Sequence, residues 1–412
     1  MKLHRVTGDI AQQFKQHGAE HSSVDVSVVV PVHNGEKDIE QCLGRIRDSV
    51  GCSFEIVVVN DASTDQTKDI AEGMATRVIT LKQQSGPAVA RNRAVGECRG
   101  EIVVFVDCDV MISNETLQNL RDQLEENKWA AVFGSYDRYP KARNLVSVYK
   151  NLMHHHYHQG SDRKSHTFWS GCGAIRKVVF EEMGGFNQAF AQPSIEDIEL
   201  GMRISEAGYF IGSVPEIQVQ HTKRWTLRNL VYTDVFLRGI PWTRLMLQAG
   251  AMQNDLNVSR SQRACVLIAG LIVVVFAVLV YFQPVISILP VLVVVLLLLT
   301  DLITTRPSIR QIALWTGATL FLALVAFCLV LQPLSALMFF GVSLIGLITQ
   351  RSLRFLMKAG GLPFMVLCVP LHLTYFMYCG FSFAAGTLLH LFGFPFYKPL
   401  VNEQEAGCVK QS

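Results

Sequence analysis

The chain has 412 residues, of which half are hydrophobic and 17% are charged, and its formal net charge is only +3. This small charge, without a basic run interleaved with aromatic residues, argues against a nucleic-acid-binding protein. The apolar residues are unevenly distributed, because the segments 264–300, 311–350 and 361–397 contain no charged side chain. The composition therefore predicts a water-soluble half followed by a membrane half.

Residues 24–222 are predicted to form an α/β domain after an N-terminal extension over residues 1–23. Three apolar runs that end in turn residues, 24–34, 54–64 and 101–109, are typical of strands buried on both faces. A weaker strand at 78–82 and a helix at 87–98 lie between them. This order predicts a parallel sheet with helices on both faces and ligands at the carboxyl ends of its strands.

Asp107 and Asp109 form a D-x-D sequence directly after the apolar run IVVFV. Two carboxylates one residue apart at a strand end can share a hard cation such as Mg²⁺ or Mn²⁺ and bridge it to a diphosphate. The alternative is an aspartate that caps a helix. Because buried carboxylates need a partner, the position after a buried strand favours the metal site.

Two further segments carry candidate donor-site residues. Asp61, after the second strand, can accept from a nucleoside base or a ribose hydroxyl, although its segment also suits a helix N-cap. Arg91 and Arg93 begin a helix whose positive end can face a pyrophosphate, and the alternative is a pair of solvated surface arginines.

Three acids lie at the predicted start of a later helix: Glu196, Asp197 and Glu199. They suit the helix macrodipole, and one of them can serve as a general base that deprotonates an acceptor hydroxyl. A histidine run at 154–158 falls in a segment, 141–164, that is predicted to be irregular. Polar lining of the acceptor side is the preferred interpretation of this run, and no role is assigned to it.

The membrane half contains four apolar runs of near spanning length: 264–282, 285–300, 312–331 and 333–349. Arginines and lysines in the loops between pairs of runs predict that those loops face the cytosol, with tight turns at Gln283-Pro284 and Gln332-Pro333 on the far side. The stretch 362–393 is either one further span or a re-entrant pair.

Two segments border the transmembrane domain, which is predicted over residues 263–397. Residues 223–262 suit an amphipathic segment at the membrane surface, and residues 398–412 form a tail. The first residues lack the apolar core of a signal peptide. We therefore expect the α/β domain in the cytoplasm, at a bacterial inner membrane.

The chain resembles the family 2 glycosyltransferases of GT-A fold. The resemblance covers about residues 24–225 and is carried by seven segments in order: VSVVVPVHNGEKDIEQCL, IVVVNDASTDQT, GPAVARNRAV, VFVDCDV, FWSGCGAIRK, MGGFN and SIEDIELGMRI. It implies a Rossmann-like mixed sheet and inverting transfer of a sugar from a UDP- or GDP-linked donor.

The resemblance also implies residue roles. Pro31 and Asp61 would hold the nucleoside, and Asp107 and Asp109 would hold the metal and the diphosphate. Asp197, which follows Glu196, would be the base. His221 falls where some relatives place a further metal-binding or phosphate-contacting histidine.

Membrane attachment suggests a lipid or lipid-linked acceptor. Processive members of the family carry a Q-x-x-R-W sequence after the base, whereas this chain has His221 at the glutamine position. This departure favours addition of a single sugar over a processive polysaccharide synthase. Two less favoured interpretations are a membrane scaffold or transport protein with an inactive transferase domain, and a sugar nucleotidyltransferase.

Overall fold

The computed structural model describes residues 24–250, 259–282 and 333–395. Its strands are β1 Val26–Val32, β2 Phe54–Asn60, β3 Arg77–Thr80, β4 Ile102–Val106, β5 Val110–Met111, β6 Ala131–Tyr136, β7 Lys164–Ser165, β8 Cys172–Arg176 and β9 Ile211–His221. The helices before residue 210 are α1 Ile39–Arg47, α2 Thr67–Met74, α3 Pro87–Val95, α4 Thr116–Asn127, α5 Leu145–Gln159, α6 Lys177–Glu182 and α7 Glu196–Glu206. The later helices are α8 Leu227–Tyr232, a π-helix Thr233–Gly239, α9 Ile240–Ala249, α10 Arg260–Phe282, α11 Pro333–Ile348 and α12 Gln350–Leu391.

The strands form one mixed sheet in the order β3-β2-β1-β4-β8-β6-β9-β5, with β7 beside β9. Strands β3, β2, β1 and β4 are parallel, whereas β8 runs antiparallel to both β4 and β6. Apolar cores cover both faces: α1, α2 and α4 pack on one, and α3, α6 and α7 pack on the other. The predicted fold class, an α/β domain with a mixed sheet followed by helices, is confirmed.

The predicted irregular segment at 141–164 is wrong, because most of it forms helix α5. Its buried apolar residues recur at helical spacing: Leu145, Tyr149, Leu152 and Met153. They pack against Leu356, Cys368 and Leu371 of α12, which is more than 200 residues away in the sequence. The sequence did not show this face because four histidines occupy the last turns of the helix.

The described residues after 222 are helical. Helix α8, the π-helix and α9 run from Leu227 to Ala249 within the predicted surface segment. Helices α10 and α11 cover the first and last of the four predicted spans and pack together where Gly341 meets Ile272. The runs 285–300 and 312–331 and the turn at Gln283-Pro284 lie outside the described residues.

Helix α12 has one break, at Gly361, where φ is 80° and ψ is 179°. From Leu362 to Leu391 it continues as a single helix that includes Pro363 and Pro370. The structure thus shows one helix, and not a pair of helices, from Leu362 to Leu391. Within the described residues, α10 and α12 are long and apolar enough to cross a membrane by length and composition.

Candidate functional site

Asp61 lies after β2 and is held by the loop that precedes α3. Its Oδ1 accepts from the Ser85 backbone N–H at 2.7 Å, and its Oδ2 accepts from the Gly86 N–H at 2.8 Å. Gly86 has φ +88°, and a Cβ there would lie 2.3 Å from the carbonyl oxygen of Ala191. The glycine is therefore required for the backbone to reach Asp61. Each carboxylate oxygen retains a lone pair that can accept a further hydrogen bond.

The loops after β1 and β2 are joined by short hydrogen bonds. The ring Nδ1 of His33 lies 2.7 Å from the carbonyl oxygen of Asp61, and the Asn34 side chain accepts from the Thr64 N–H at 2.8 Å. Pro31, near the end of β1, is half-buried beside these loops. The carboxyl ends of the two parallel strands thus form one edge, where the sequence places the nucleoside.

Asp107 and Asp109 stand on a tight turn after β4, closed by the bond from the Val110 N–H to the Asp107 carbonyl at 2.9 Å. The Asp109 carboxylate lies 3.5 Å from the Nε2 of His221, at the end of β9. Burial opposes ionisation of Asp109, but the hydrogen bond and charge of His221, together with the charge of Lys223, outweigh it and lower the pKa of Asp109. The structure therefore places Asp109 beside His221, with Asp107 on the same turn.

Arg91 is 4% exposed and connects two of the predicted site acids. One guanidinium nitrogen donates to Asp107 at 2.7 Å, and another donates to Glu196 at 3.0 Å. Burial raises the pKa of both carboxyls, and the Arg91 charge opposes this rise. Arg93, two residues along α3, points to solvent and pairs with Glu97. The two arginines, for which the sequence predicts the same role, thus differ: Arg91 is buried between two acids and Arg93 is exposed.

The three acids at the start of α7 also differ. Glu196 is bonded to Arg91, and Glu199 is 2% exposed and forms a two-pronged pair with Arg203. Asp197 is half-buried, and no ion pair in the described part of the chain includes it. Asp197 is therefore the acid of the three whose charge has no cation bonded to it.

Ser170 positions the Asp197 carboxylate. Its backbone N–H and its hydroxyl both donate to Asp197 Oδ2, at 3.1 Å and 3.2 Å. The other oxygen, Oδ1, accepts from the Ile198 N–H at 2.8 Å. Ser170 lies just before β8, in the segment FWSGCGAIR. Sequence reasoning assigned it no role because a serine in a loop carries no signal until its partner is known.

A column of rings connects this edge with α5. The His221 ring stacks on Tyr136 at 4.3 Å, Tyr136 contacts His154, and His154 stacks on His158 at 4.0 Å. Trp169, the neighbour of Ser170, contacts Tyr136 and both of these α5 histidines. Burial and the nearby cations lower the pKa of His154 well below its usual value, so this ring is neutral at pH 7. His154 and His158 therefore join the column as rings, whereas His155 and His156 stack on Phe355 of α12.

The described residues contain no group of three or more His, Cys, Asp or Glu side chains arranged to hold a metal alone. Asp109 and His221 nevertheless supply an oxygen and an imidazole nitrogen at one point of the edge. Such a donor pair suits Mn²⁺ or Mg²⁺ when phosphate oxygens complete the coordination. The residues present therefore fit a divalent ion bound together with a diphosphate.

Residues 27–184 match the model of the family "Glycosyl transferase family 2". The chain therefore contains a region, residues 27–184, that is similar to the domain of the family 2 glycosyltransferases.

Individual relatives match parts of the chain. Glycosyltransferase GlyG of Streptococcus pneumoniae is 29% identical over 122 residues, which are 28% of this chain and 40% of GlyG. The poly(ribitol-phosphate) beta-N-acetylglucosaminyltransferase TarS of Staphylococcus aureus is 40% identical over 108 residues, which are 24% of this chain and 19% of TarS. The chain thus spans less than half the length of these relatives.

One solved structure, the mannosyltransferase PcManGT from Pyrobaculum calidifontis in complex with GDP-Man and Mn²⁺, aligns with 94% of this chain and 96% of its own. The identity is 16% and the TM-score is 0.45.

Proposed function

We propose that this protein is an inverting glycosyltransferase that moves a sugar from a UDP- or GDP-linked donor to a lipid or lipid-linked acceptor at a membrane. One observation carries the proposal. Among the acids gathered at this edge, Glu196 and Glu199 are bonded to arginines, whereas Asp197 is bonded only to uncharged donors. A carboxylate without a cation partner is available to accept the proton of an acceptor hydroxyl.

The donor binds along the strand ends. Asp61 accepts from the nucleoside, next to Pro31, and Asp107, Asp109 and His221 face the diphosphate. A divalent ion held by Asp109 and His221 would neutralise the phosphate charge. Arg91, whose helix was predicted to face the pyrophosphate, also donates to the carboxylate of Asp107 and holds it in place.

The reaction needs a base that is not committed to the leaving group. Asp197 takes the proton of the acceptor hydroxyl while that oxygen forms a bond to the anomeric carbon. The bond between this carbon and the phosphate oxygen breaks, and its electron pair leaves with the nucleoside diphosphate. Ser170 orients Asp197 throughout, and Glu196 acts as a positioning residue through Arg91. Attack opposite the leaving group inverts the anomeric configuration.

The acceptor class is supported by the membrane half. Helix α10 has the length and composition of a membrane span, and α12, which passes the same test, packs directly against α5 of the catalytic domain. A catalytic site attached to a bilayer favours an acceptor that is itself in the bilayer. The proposed location is a bacterial inner membrane, with the catalytic domain in the cytoplasm.

The test is Asp197→Asn, which keeps the shape of the side chain but cannot accept a proton. A general base contributes ~10²- to 10⁴-fold in rate, so turnover should fall at least ~100-fold while nucleotide-sugar binding is retained. Sugar transfer to membrane lipid extract, read by mass spectrometry, also reports whether one sugar or a polymer is added. Asp162→Asn, at an exposed acid, is the matched control. A near wild-type rate for Asp197→Asn would remove the proposed base.

A further inference from the structure

The second part of α12, residues 362–391, is a helix of spanning length that has two unlike faces. Thirty residues of α-helix extend ~45 Å, more than the ~30 Å of a hydrocarbon core. The segment contains no charged residue, so length and composition alone make it a candidate span. Its contacts with the rest of the chain, in contrast, argue against a helix that crosses the membrane.

One face is covered along most of the helix by residues that precede 250, which belong to α5 of the α/β domain and to the predicted surface segment 223–262. About a third of the way along, His372 Nδ1 lies 2.9 Å from the hydroxyl of Tyr149 in α5. Near its middle, the Tyr378 hydroxyl donates to Asp234 of the π-helix at 2.7 Å. Near its end, Gly386 packs closely against Thr243 of α9.

The same contact continues past the end of the helix. The Arg244 guanidinium of α9 donates to the carbonyl oxygens of Phe394 and Pro395, to the latter at 3.1 Å. Residues from both ends of the segment are thus bonded to elements that precede residue 250. A helix that crossed the bilayer would carry those elements across with it.

A charged cluster lies at the middle of this covered face. Asp234 accepts from Lys150 at 2.6 Å and lies 3.5 Å from Arg238, whose side chain is 46% exposed. Tyr378, which bonds to Asp234, stands close to the centre of the helix. If the helix crossed the bilayer, this cluster would lie near the mid-plane, where exposed cations are costly.

The opposite face is apolar and exposed. Apart from Phe383, the exposed large apolar residues of this helix fall within about 100° of arc around its axis, at 100° per residue. They are Leu362, Val366, Met377, Phe381, Leu388 and Leu391. The cations Arg351, Arg354 and Lys358, all exposed, lie just before this face begins. An apolar face next to cations suits the surface of a lipid bilayer. The apolar side chains can contact acyl chains, and the cations can contact lipid phosphates.

Helix α10 provides the contrast. Its buried residues Cys265, Ala269 and Ile272 share a core with α11 and α12, and Leu267 and Leu271 on its other side are exposed. The core of this helix is thus built from residues of the membrane half, as expected of a span.

We infer that residues 362–391 lie in the plane of the membrane surface, on the side of the catalytic domain, as a platform between that domain and the lipid. The apolar face contacts the acyl chains, and residue 395 lies on the same side of the membrane as the catalytic domain. The inference rests on the membrane attachment contained in the proposed function, and it does not depend on sugar transfer.

Two labelling experiments test the position of the tail. In a variant that retains only Cys408 of the ten cysteines, an impermeant thiol reagent should fail to label intact cells and should label permeabilised ones. Gln283→Cys in a cysteine-free background, at a turn predicted to lie on the far side, is the control that labels from outside. A reporter enzyme fused to the C-terminus of the unchanged chain gives the same answer without cysteine replacement. Labelling of Cys408 from outside, or an externally active reporter, overturns the inference.

Depth within the bilayer tests the orientation of the helix. Fluorophores at Val366, Met377 and Leu388, which are spaced by 11 residues, should be quenched equally by lipids that carry a quencher at a given depth. A spanning helix would instead make position 377 the deepest of the three. If alkaline carbonate releases the whole protein from membranes, the attachment in the proposed function has failed. If the protein stays bound and position 377 is deepest, only the surface orientation has failed.

Discussion

The catalytic edge and the junction with α12 are both organised around a buried ion cluster, but the two clusters have opposite compositions. At the edge, one cation, Arg91, is shared by Asp107 and Glu196, and further acids lie nearby. At the junction, one acid, Asp234, is shared by Lys150 and Arg238 and accepts from Tyr378. An excess of acids can bind a metal or take a proton, whereas an acid surrounded by donors can only hold elements together.

Removal of divalent metal should give the largest difference between the two regions, because only the catalytic edge is expected to need the metal. We expect excess EDTA to abolish sugar transfer, because Asp109, His221 and the donor diphosphate then lack the shared cation, and Mn²⁺ or Mg²⁺ should restore it. Thermal unfolding without donor should change little, since the junction and the Arg91 cluster need no metal. Full activity in EDTA would contradict the metal role of Asp109 and His221.

Arg91→Met should cause the next largest effect. Removing the cation leaves Asp107 and Glu196 without their buried partner, and breaking a buried pair costs about 3–5 kcal/mol. Urea unfolding of the detergent-solubilised protein measures the loss. Arg93→Met, on the same helix but with a side chain that is 53% exposed in its pair with Glu97, should cost at most about 1 kcal/mol. Equal losses in the two variants would show that the Arg91 cluster is not a stabilising element.

At the junction, Tyr378→Phe should have a smaller effect. It removes one hydrogen bond to a charged group, worth about 1.5–3 kcal/mol, while Lys150 still compensates Asp234. The melting temperature of the solubilised protein should fall, and catalytic rates should not, because Tyr378 is far in sequence and in contacts from the donor edge. Tyr139→Phe, at an exposed tyrosine, serves as the reference. A loss of turnover without a loss of stability would contradict the separation of the two regions.

The smallest predicted effect is a difference in the direction in which stability changes with pH. Burial raises the pKa of Glu196 in the folded protein. The free energy of unfolding therefore falls as pH rises from the pKa of a glutamate in the unfolded chain, about 4.3, to the pKa of Glu196 in the folded protein. Glu196→Gln should therefore gain stability relative to wild type across that window.

Asp234 behaves in the opposite way. Burial opposes its ionisation, but the charges of Lys150 and Arg238 outweigh this and lower its pKa. Ionised Asp234 stabilises the folded protein fully above the pKa of an aspartate in the unfolded chain, about 3.9. This stabilisation is lost as pH falls through the pKa of Asp234 in the folded protein. Asp234→Asn should therefore lose stability relative to wild type as pH rises across that window. Parallel pH profiles for the two variants would refute the contrast.

Much of the catalytic domain could be predicted because its signals are local. Strands β1, β2 and β4 are uninterrupted apolar runs, and the acids that follow them need only the rule about strand ends. The roles within the acid cluster required the structure. Glu196, Asp197 and Glu199 look alike in sequence, and only the positions of Arg91 and Arg203 separate them.

The same holds for helix α5 and the ring column. The buried face of α5 becomes apparent only against α12, and the stack of His221, Tyr136 and His154 joins three distant segments. No spacing rule connects such residues. Sequence reasoning therefore predicted which residues lie at this edge of the sheet but missed the surroundings that hold them.

The attachment of Asp61 has a consequence for donor choice. Both of its oxygens are anchored by main-chain N–H groups of Ser85 and Gly86, so the carboxylate cannot rotate to suit a different base. On the proposed assignment, the Asp61 carboxylate has the same orientation for every donor. The side chains of the neighbouring loops must then discriminate between uracil and guanine. Any evolutionary change of nucleotide would then proceed through the conformation of the 81–86 loop, with Asp61 itself unaltered.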